Sequence, residues 1–261
     1  MRIAVAQGCA PGLDALDAAA AQAAERGARL LITPELSLTG YVLGPQAAAL
    51  AEEAEGPAAR QVRRIAARHG VAVVYGHPER AGAAVHNTAS LVGPDGTLLA
   101  AYRKTHLYGD QERAAFAAGT DQVVQADLDG VRIGLLICYD IEFPETARAH
   151  ALAGTDLLAV PTALMRPYEA VPRVLVPARA YENGLHIAYA NRCGPEGDLD
   201  FAGLSCLAGP DGEVRARAGA TPELLVADVD PQANAAARAV SPYLADRRPD
   251  LYRTLARSPR P

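Results

Sequence analysis

The chain has 261 residues, of which 50% are hydrophobic and 21% charged, and its formal net charge is −5 at pH 7. These values are ordinary for a globular protein with a substantial core. Because the basic residues are scattered among 30 acidic ones without a basic block, and no apolar run approaches the roughly 20 residues that cross a bilayer, we expect neither a nucleic-acid partner nor a membrane span.

Strand and helix signals alternate along the first half of the chain. Apolar runs predict strands at 2–7, 28–35 and 71–79, followed by two strands within 87–104 that flank the turn GPDG. Helices are predicted at 13–27 and 56–70, because the first is rich in alanine and the second has a proline in its first turn and a glycine at its end.

The second half continues the alternation and ends in a different kind of segment. We predict strands at 131–140, 155–163, 186–194, 204–214 and 223–230, and helices at 143–154 and ending at 184. The proline-rich segment 231–261 is predicted to be an irregular tail that lies on the surface or on a partner subunit. Strands alternating with helices and hairpins indicate a single α/β domain over 1–261, with mixed sheets and helices outside.

Three of the predicted strands end in a side chain that can take part in chemistry. Glu35 follows the second strand, Lys104 follows the strand after GPDG, and Cys138 lies near the end of a buried apolar strand. Taken singly, each side chain fits a loop charge or a small core residue. Together they matter more, because catalytic residues of α/β proteins gather at the carboxyl ends of strands.

A thiol, a carboxylate and an ammonium form a working set for nucleophilic catalysis. A free thiol has a pKa of about 8.5, so it needs a base such as Glu35 to accept its proton. Attack on a carbonyl places negative charge on the substrate oxygen, which Lys104 would stabilise. Lys104 is the only lysine among 25 basic residues, and a compact ammonium fits a narrow site where a broad guanidinium does not.

Other chemistries have less support in the sequence. The six histidines do not stand in a recognisable thiol-protease context, and neither C-x-x-C nor H-E-x-x-H occurs. The only lysine follows Arg103 rather than a glycine, so there is no phosphate-binding P-loop, and no G-x-G-x-x-G follows a strand. We therefore predict an enzyme without a metal or an organic cofactor.

The stretches TPELSLTGY, YRKTHLYGDQE and GLLICYDIEFPE resemble, in that order, the three catalytic blocks of the nitrilase (carbon–nitrogen hydrolase) superfamily. The resemblance runs from the first strand to about residue 230. It implies a four-layer αββα sandwich and a triad with Glu35 as general base, Lys104 as electrostatic support and Cys138 as nucleophile. It also implies that the Tyr139 backbone N–H helps to hold the oxyanion, and that Glu112 positions substrate and triad; an exposed acid at a helix start is the alternative for Glu112.

The stretches ICYDIEFPE, VPTALMRPYE, ARAYEN and AYANRCG are most similar to the 5-aminopentanamidases of this superfamily. That similarity implies a small linear amide as substrate. Glu142 replaces an arginine of many relatives, so it suits a substrate whose far end is a cation, although it could equally form a structural salt bridge. Tyr41, Glu142 and Thr162 are predicted to set specificity at the pocket mouth.

Several alternatives stay open at this point. The nearest is hydrolysis of an N-carbamoyl amine such as N-carbamoylputrescine, which also has a cationic end, and a nitrilase is the next. A catalytically silent interaction protein would be expected to lack a triad member, and an ammonia-supplying domain would be joined to a synthetase. The resemblance also implies a homodimer or higher oligomer.

The cysteines bear on where the protein works. There are four, and they are irregularly spaced, so they do not predict a disulfide framework: Cys9, Cys138, Cys193 and Cys206. The N-terminal apolar run is too short for a signal peptide. We therefore expect a cytoplasmic protein.

Overall fold

The computed structural model describes residues 1–8 and 10–253 of the chain. Within them the strands are β1 (Arg2–Gln7), β2 (Leu30–Ile32), β3 (Ala72–Ala81), β4 (Ala84–Val92), β5 (Leu98–Arg103), β6 (Gln125–Leu128), β7 (Val131–Leu135), β8 (Leu157–Thr162), β9 (His186–Asn191), β10 (Cys193–Glu196), β11 (Leu199–Ala202), β12 (Cys206–Ala208), β13 (Val214–Arg217) and β14 (Glu223–Asp228). The α-helices are α1 (Leu13–Glu25), α2 (Ala47–Leu50), α3 (Pro57–His69), α4 (Gly109–Ala115), α5 (Pro144–Leu152), α6 (Val176–Asn183) and α7 (Pro231–Val240). Short 3₁₀ turns occupy Gly44–Gln46 and Cys138–Glu142, and a π-helical turn occupies Val171–Leu175.

The strands form two large sheets of the same design. The first sheet has the order β14-β1-β2-β3-β4-β5 and the second has the order β13-β12-β9-β8-β7-β6, while β10 and β11 form a separate hairpin. In each large sheet three central strands run parallel, namely β1, β2 and β3 in the first and β7, β8 and β9 in the second. The strands outside these triplets pair antiparallel.

The two sheets pack face to face with helices on their outer sides. Alternate residues of the central strands point to opposite faces, so Ile3 and Ile32 join Ile133 and Ile187 in the core between the sheets. On the opposite face of the first sheet, Ala4, Leu31 and Val73 pack under helices α1 and α3. The helix residues of this cluster include Leu16, Ala20, Val62 and Ile65. Helices α5 and α6 cover the second sheet. The predicted four-layer αββα sandwich is confirmed.

The predicted strand at 131–140 is shorter than expected. Strand β7 ends at Leu135, and Cys138–Glu142 form a 3₁₀ turn that leads into α5. The apolar run continues to Ile137 because these residues are buried, although only Leu136 still donates a backbone hydrogen bond to β8, at the Ala159 carbonyl. Burial, rather than strand pairing, explains the hydrophobic pattern there.

The prediction of an irregular tail over 231–261 is wrong for its first part, which forms α7. The side chain of Asp230 accepts a hydrogen bond from the Gln232 N–H, and Pro231 stands in the first turn. This is a favourable helix start. The helix packs on its own chain through Asn234, which is buried and donates to the Asp156 carbonyl. Residues 254–261 of the predicted tail lie outside the described residues.

Three further observations concern the described residues only. They include no helix long and apolar enough to cross a membrane. They include no cluster of three or more His, Cys, Asp or Glu side chains arranged to hold a metal ion. Cys138 and Cys206 are free thiols, whereas Cys9 lies outside the described part of the chain.

Candidate active site

Three strand ends of the two sheets bring Glu35, Lys104 and Cys138 into one buried cluster. Lys104 directly follows β5, Glu35 lies three residues after β2, and Cys138 lies three residues after β7. The side chains of Glu35 and Lys104 are fully buried and joined by an ion pair of 2.7 Å. Both charges act on the Cys138 thiol, which is itself buried. The structure therefore brings together the three residues that the sequence motifs single out.

Lys104 is the centre of the charged part of the cluster. Its Nζ donates to Glu35 Oε1 and to Glu112 Oε1, each at 2.7 Å. Burial opposes its charge, but the acidic groups of Glu35, Cys138 and Glu112 outweigh burial and raise the pKa of Lys104. The ammonium therefore stays charged, and since lysine has three donors, one remains for another acceptor.

The two carboxylate oxygens of Glu35 differ in their hydrogen bonding. Oε1 accepts from Lys104 and also from Asn87 Nδ2 at 2.7 Å. Oε2 is buried and has no hydrogen-bond partner among the described residues. Burial raises the pKa of Glu35, and the nearby Glu112 carboxylate raises it further, while Lys104 lowers it. A carboxylate whose pKa is raised, and one of whose oxygens accepts no hydrogen bond from the described residues, is suited to accept a proton.

Cys138 occupies an unusual backbone conformation at the first position of the 3₁₀ turn. Its φ is +48°, in the left-handed region that residues with a Cβ seldom adopt. Burial raises the pKa of the Cys138 thiol, as does Glu35, and Lys104 opposes the rise. A hydrogen bond from the Ala163 backbone also favours the thiolate. The thiol is therefore protonated at rest and needs a base at the moment of attack.

A close backbone contact holds Glu35 in place. A Cβ at Gly76 would lie 2.3 Å from the Leu36 nitrogen, so β3 can approach the loop after β2 only through a glycine. Ser37 Oγ accepts from the Gly76 N–H, and the Leu38 N–H donates to the Gly76 carbonyl. The loop that carries Glu35 is thus fastened directly to the neighbouring strand.

A cavity of about 220 Å³ opens onto Cys138. It is lined by aromatic and apolar side chains together with one carboxylate, from Tyr41, Tyr108, Cys138, Tyr139, Glu142, Ala163, Leu164, Met165 and Tyr168. The ring of Tyr108 meets the rings of Tyr139 and Tyr168 edge-on, with centroids 5.3 and 6.4 Å apart. Aromatic walls with few polar groups are typical of small-molecule sites.

Among the described residues that line this cavity, Glu142 alone carries a carboxylate. It is half-buried, and burial raises its pKa, whereas the positive charges of Lys104 and Arg179 lower it. Among the described residues its carboxylate forms no ion pair; Arg179 instead donates to the Glu142 backbone carbonyl at 2.9 Å. The alternative of a structural salt bridge at Glu142 therefore has no support here.

The other predicted site residues divide into two groups. Glu112 is buried and links the cluster to the cavity, because it accepts from Lys104 and from the Tyr41 hydroxyl at 2.7 Å. Tyr41 and Tyr139 line the cavity as expected. Thr162 differs: it is fully buried, its hydroxyl donates to the Val160 carbonyl, and it does not line this cavity.

Thr162 acts on the site through its backbone. Its carbonyl accepts from the Glu35 N–H at 3.3 Å and from the Arg192 N–H at 3.2 Å. Thr162 is the last residue of β8, in the second sheet. The contact therefore joins the Glu35 loop of the first sheet to the second sheet, and the prediction of a residue at the pocket mouth is wrong for Thr162.

Four residues of the site carry little signal in the sequence. Asn87 lies inside a strand, and Tyr108 and Tyr168 lie in loops far apart along the chain. Asp140 is fully buried and connects the Cys138 turn to the loop after Lys104. Only its position two residues after the candidate nucleophile could have drawn attention to it.

The comparisons with known proteins agree with this geometry. The carbon–nitrogen hydrolase family model matches residues 2–239. The chain is 41% identical over 220 residues to an (R)-stereoselective amidase of a Pseudomonas species, covering 84% of this chain and 79% of the relative.

Solved structures add a closer spatial comparison. The chain is similar to a double mutant of the amidase from Nesterenkonia sp. AN1 in complex with acrylamide, with a TM-score of 0.88, 42% identity, and coverage of 98% and 97% of the two chains. Another mutant of that amidase shows the result of Michael addition of acrylamide at its active-site cysteine, with a TM-score of 0.85, 41% identity, and coverage of 98% and 99%.

Proposed function

The chain belongs to the carbon–nitrogen hydrolase family, and from that premise we propose that it is a thiol-dependent amidase for a small linear amide with a cationic far end, such as 5-aminopentanamide. The observation that carries the chemistry is the buried Glu35–Lys104 ion pair beside Cys138, where Glu35 Oε2 has no hydrogen-bond partner among the described residues. The observation that supports the cationic substrate is the Glu142 carboxylate, which lines the cavity among tyrosine rings and forms no ion pair with any described residue.

The first half of the reaction forms a thioester. Cys138 Sγ attacks the amide carbon while Glu35 Oε2 accepts the thiol proton. The carbonyl electron pair moves onto oxygen, where the third N–H of Lys104 and the Tyr139 N–H stabilise the negative charge. Collapse of this intermediate breaks the C–N bond, and Glu35 returns its proton to the leaving nitrogen, so that ammonia departs.

The second half regenerates the enzyme. Glu35, again a carboxylate, takes a proton from a water molecule as that water attacks the thioester carbon. The oxyanion is held at the same two donors, the C–S bond breaks to release the carboxylic acid, and Glu35 returns its proton to the departing sulfur, which restores both the thiol and the carboxylate. Covalent catalysis by one thiol thus divides a difficult displacement into two easier steps, using one base in both.

The cavity gives a physical reason for a cationic far end. The Glu142 carboxylate would pair with an ammonium group, and the faces of Tyr108, Tyr139 and Tyr168 offer cation–π contact. Lys104 and Arg179 offset the desolvation of Glu142 only in part, because its pKa stays raised, and a bound ammonium would add a direct ion pair. N-carbamoyl amines with a cationic end share this feature and form the alternative substrate class.

The test compares substrates that differ only in the far end. We expect kcat/KM for 5-aminopentanamide to exceed that for hexanamide, in which a methyl group replaces the ammonium, by at least about tenfold, equal to about 1.4 kcal/mol. N-carbamoylputrescine and the matching nitrile are measured beside them to rank the alternatives. Equal values for 5-aminopentanamide and hexanamide would contradict a site that binds a cationic far end.

Glu142→Gln assigns that preference to one side chain. The variant should lose the preference while its kcat/KM for hexanamide stays within about threefold of the wild type. The matched control is Glu145→Gln, since Glu145 is an exposed acid three residues away, and this control should keep the full preference. Because burial raises the pKa of Glu142, the wild-type preference should also decline as the pH falls through that pKa.

We also propose a homodimer or higher oligomer. The support on this chain is a group of exposed apolar residues at and after the end of α7, where Val240 is 84% exposed and Leu251 61% exposed. Exposed apolar groups of this kind are typical of contact surfaces.

A further inference from the structure

We propose that Asp140 is a positioning residue that locks the Cys138 turn to the loop carrying Lys104, so that nucleophile and ammonium keep a fixed relative geometry. This role is distinct from the proton transfers assigned to Glu35. It rests on the proposed function, because it concerns the alignment of the same thiol.

The Asp140 carboxylate is fully buried and accepts hydrogen bonds from two segments. Oδ1 faces the lysine loop, where it accepts from Thr105 Oγ1 at 2.9 Å and from the His106 N–H at 3.0 Å, and it lies 2.8 Å from His106 Nδ1. Oδ2 accepts from the Tyr102 hydroxyl at 2.9 Å and from the Ile137 N–H at 3.1 Å. Tyr102, Thr105 and His106 surround Lys104 along the chain, and Ile137 immediately precedes Cys138.

A second hydrogen bond closes the turn around the nucleophile. The Asp140 N–H donates to the Ile137 carbonyl at 3.0 Å, while the Ile137 N–H donates to Asp140 Oδ2. These reciprocal bonds enclose Cys138 and Tyr139. A residue with a Cβ holds a φ of +48° only when its surroundings determine that conformation. The Asp140 carboxylate provides that constraint at the nucleophile.

Asparagine at this position separates the two sides of the link. An amide offers one acceptor oxygen, which the Thr105 hydroxyl and the His106 N–H of the lysine loop would retain. Its NH₂ group would then face the Ile137 N–H, and two donors cannot bond each other. The Tyr102 hydroxyl can adjust, because it also lies 3.0 Å from Thr105 Oγ1. The variant should therefore loosen the Cys138 turn and leave the lysine loop largely in place.

The first experiment measures kcat and KM of Asp140→Asn with 5-aminopentanamide. We expect kcat to fall at least 100-fold while KM stays within about threefold, since a misplaced reacting atom lowers the rate more than the binding. Asp156→Asn is the control, because the Asp156 carboxylate also accepts a hydrogen bond from a backbone N–H, that of Arg132. Asp156 precedes the first residue of β8, whereas the last residue of that strand, Thr162, contacts the Glu35 loop. Equal losses of kcat in both variants, or a normal kcat in Asp140→Asn, would overturn the proposal.

A second readout needs no substrate and separates this proposal from the proposed function. Alkylation of Cys138 by iodoacetamide at pH 7, followed by mass spectrometry, should be at least tenfold slower in Asp140→Asn than in the wild type, because the thiol no longer lies against its base. An unchanged or faster rate would overturn the role of Asp140, even if the wild type were inactive on every amide tried.

A milder variant keeps the test open if Asp140→Asn does not fold. Tyr102→Phe combined with Thr105→Val removes two of the donors and leaves the carboxylate in place. We expect about a tenfold lower kcat with KM unchanged. A kcat equal to that of the wild type would count against the lock.

Discussion

Lys104 is fully buried between two carboxylates, each of which accepts a hydrogen bond from its Nζ at 2.7 Å. The 24 remaining basic residues are all arginine. An exposed ion pair tolerates either side chain, whereas this buried position does not. A guanidinium is wider and would bind a carboxylate through two parallel hydrogen bonds, withdrawing the donor that the oxyanion needs.

We predict that Lys104→Arg lowers kcat by about 10²–10³, the usual effect of losing one oxyanion donor. The control is Arg103→Lys, the reverse exchange at the adjacent residue, whose side chain is partly exposed and pairs with Glu79. That control should keep kcat within a few-fold. Steady-state kinetics on both variants checks the prediction, and near-normal turnover of Lys104→Arg would refute the requirement for a compact cation.

Glu35 also affects stability, because its pKa is raised in the folded state. The unfolded chain loses this proton at an ordinary Glu pKa of about 4.3. Between that pKa and the folded-state pKa the native state binds more protons, so stability falls as the pH rises through this window. Above this window the ionised Glu35 carboxylate lowers the stability of the fold, because burial opposes its charge.

We predict that Glu35→Gln abolishes amidase activity and raises the Tm at pH 7 by about 2 °C or more, since 1 kcal/mol corresponds to roughly 2–4 °C in a chain of this size. The increase should vanish at a pH below about 4. Differential scanning calorimetry across this pH range measures it. A lower Tm for Glu35→Gln at pH 7 would mean that the ion pair with Lys104 outweighs burial.

The residues predicted from the sequence are those with an unusual local context. Cys138, Lys104 and Glu35 each end an apolar run, which makes a charge or a thiol conspicuous. Asn87 and Asp140 could not be assigned in this way, because their roles depend on partners 52 and 34 residues distant. The predicted position of Thr162 at the pocket mouth is wrong, because the direction of a side chain at a strand end depends on how the sheet packs, which the sequence does not show.

At the scale of elements, the contact between β3 and the loop after β2 sets the position of the catalytic base. We predict that Gly76→Ala lowers kcat about 100-fold, because a Cβ 2.3 Å from the Leu36 nitrogen must displace the loop and a shift of about 1 Å costs that much in rate. Gly219→Ala is the control, since a Cβ there meets nothing within 4 Å. Kinetics and Tm are measured on both; similar kcat values would contradict the prediction.

The helices and central strands follow from local signals, but the short elements do not. Helix α3 begins at Pro57 and is closed by Gly70 at a φ of +64°, as its sequence indicates. Strand β6 and the β10–β11 hairpin consist of strands of only four residues, and pairing rather than periodicity creates them. Asp230 and Pro231 form a helix-start signal for α7. The prediction missed it, because the prolines further along the segment indicated an irregular tail.

At the scale of the whole molecule, the two sheets supply different parts of one site. Glu35 and Lys104 come from the first sheet, and Cys138 comes from the second. The chemistry therefore depends on how the sheets pack together, and the contact between the Thr162 carbonyl and the Glu35 N–H crosses that interface. Periodicity could predict an α/β fold, whereas the four-layer order came from the motif resemblance.

The exposed apolar residues at and after the end of α7 support the proposed oligomer. We expect sedimentation velocity to find a dimer or larger species, and Val240→Asp with Leu251→Asp to weaken the association, because the change places charges at exposed apolar positions near the end of the described chain. Leu50→Asp, at another exposed apolar position, on α2, is the control. A wild type that sediments as a monomer at all concentrations would contradict the proposal.

The most direct measurement is ammonia release from 5-aminopentanamide and hexanamide by three proteins. We predict that the wild type and Cys206→Ala, which removes a buried thiol on β12, release ammonia at similar rates. Cys138→Ala should release none above the uncatalysed background. Ammonia release by Cys138→Ala at the wild-type rate would contradict a thiol nucleophile at residue 138 and the catalytic cluster built around it.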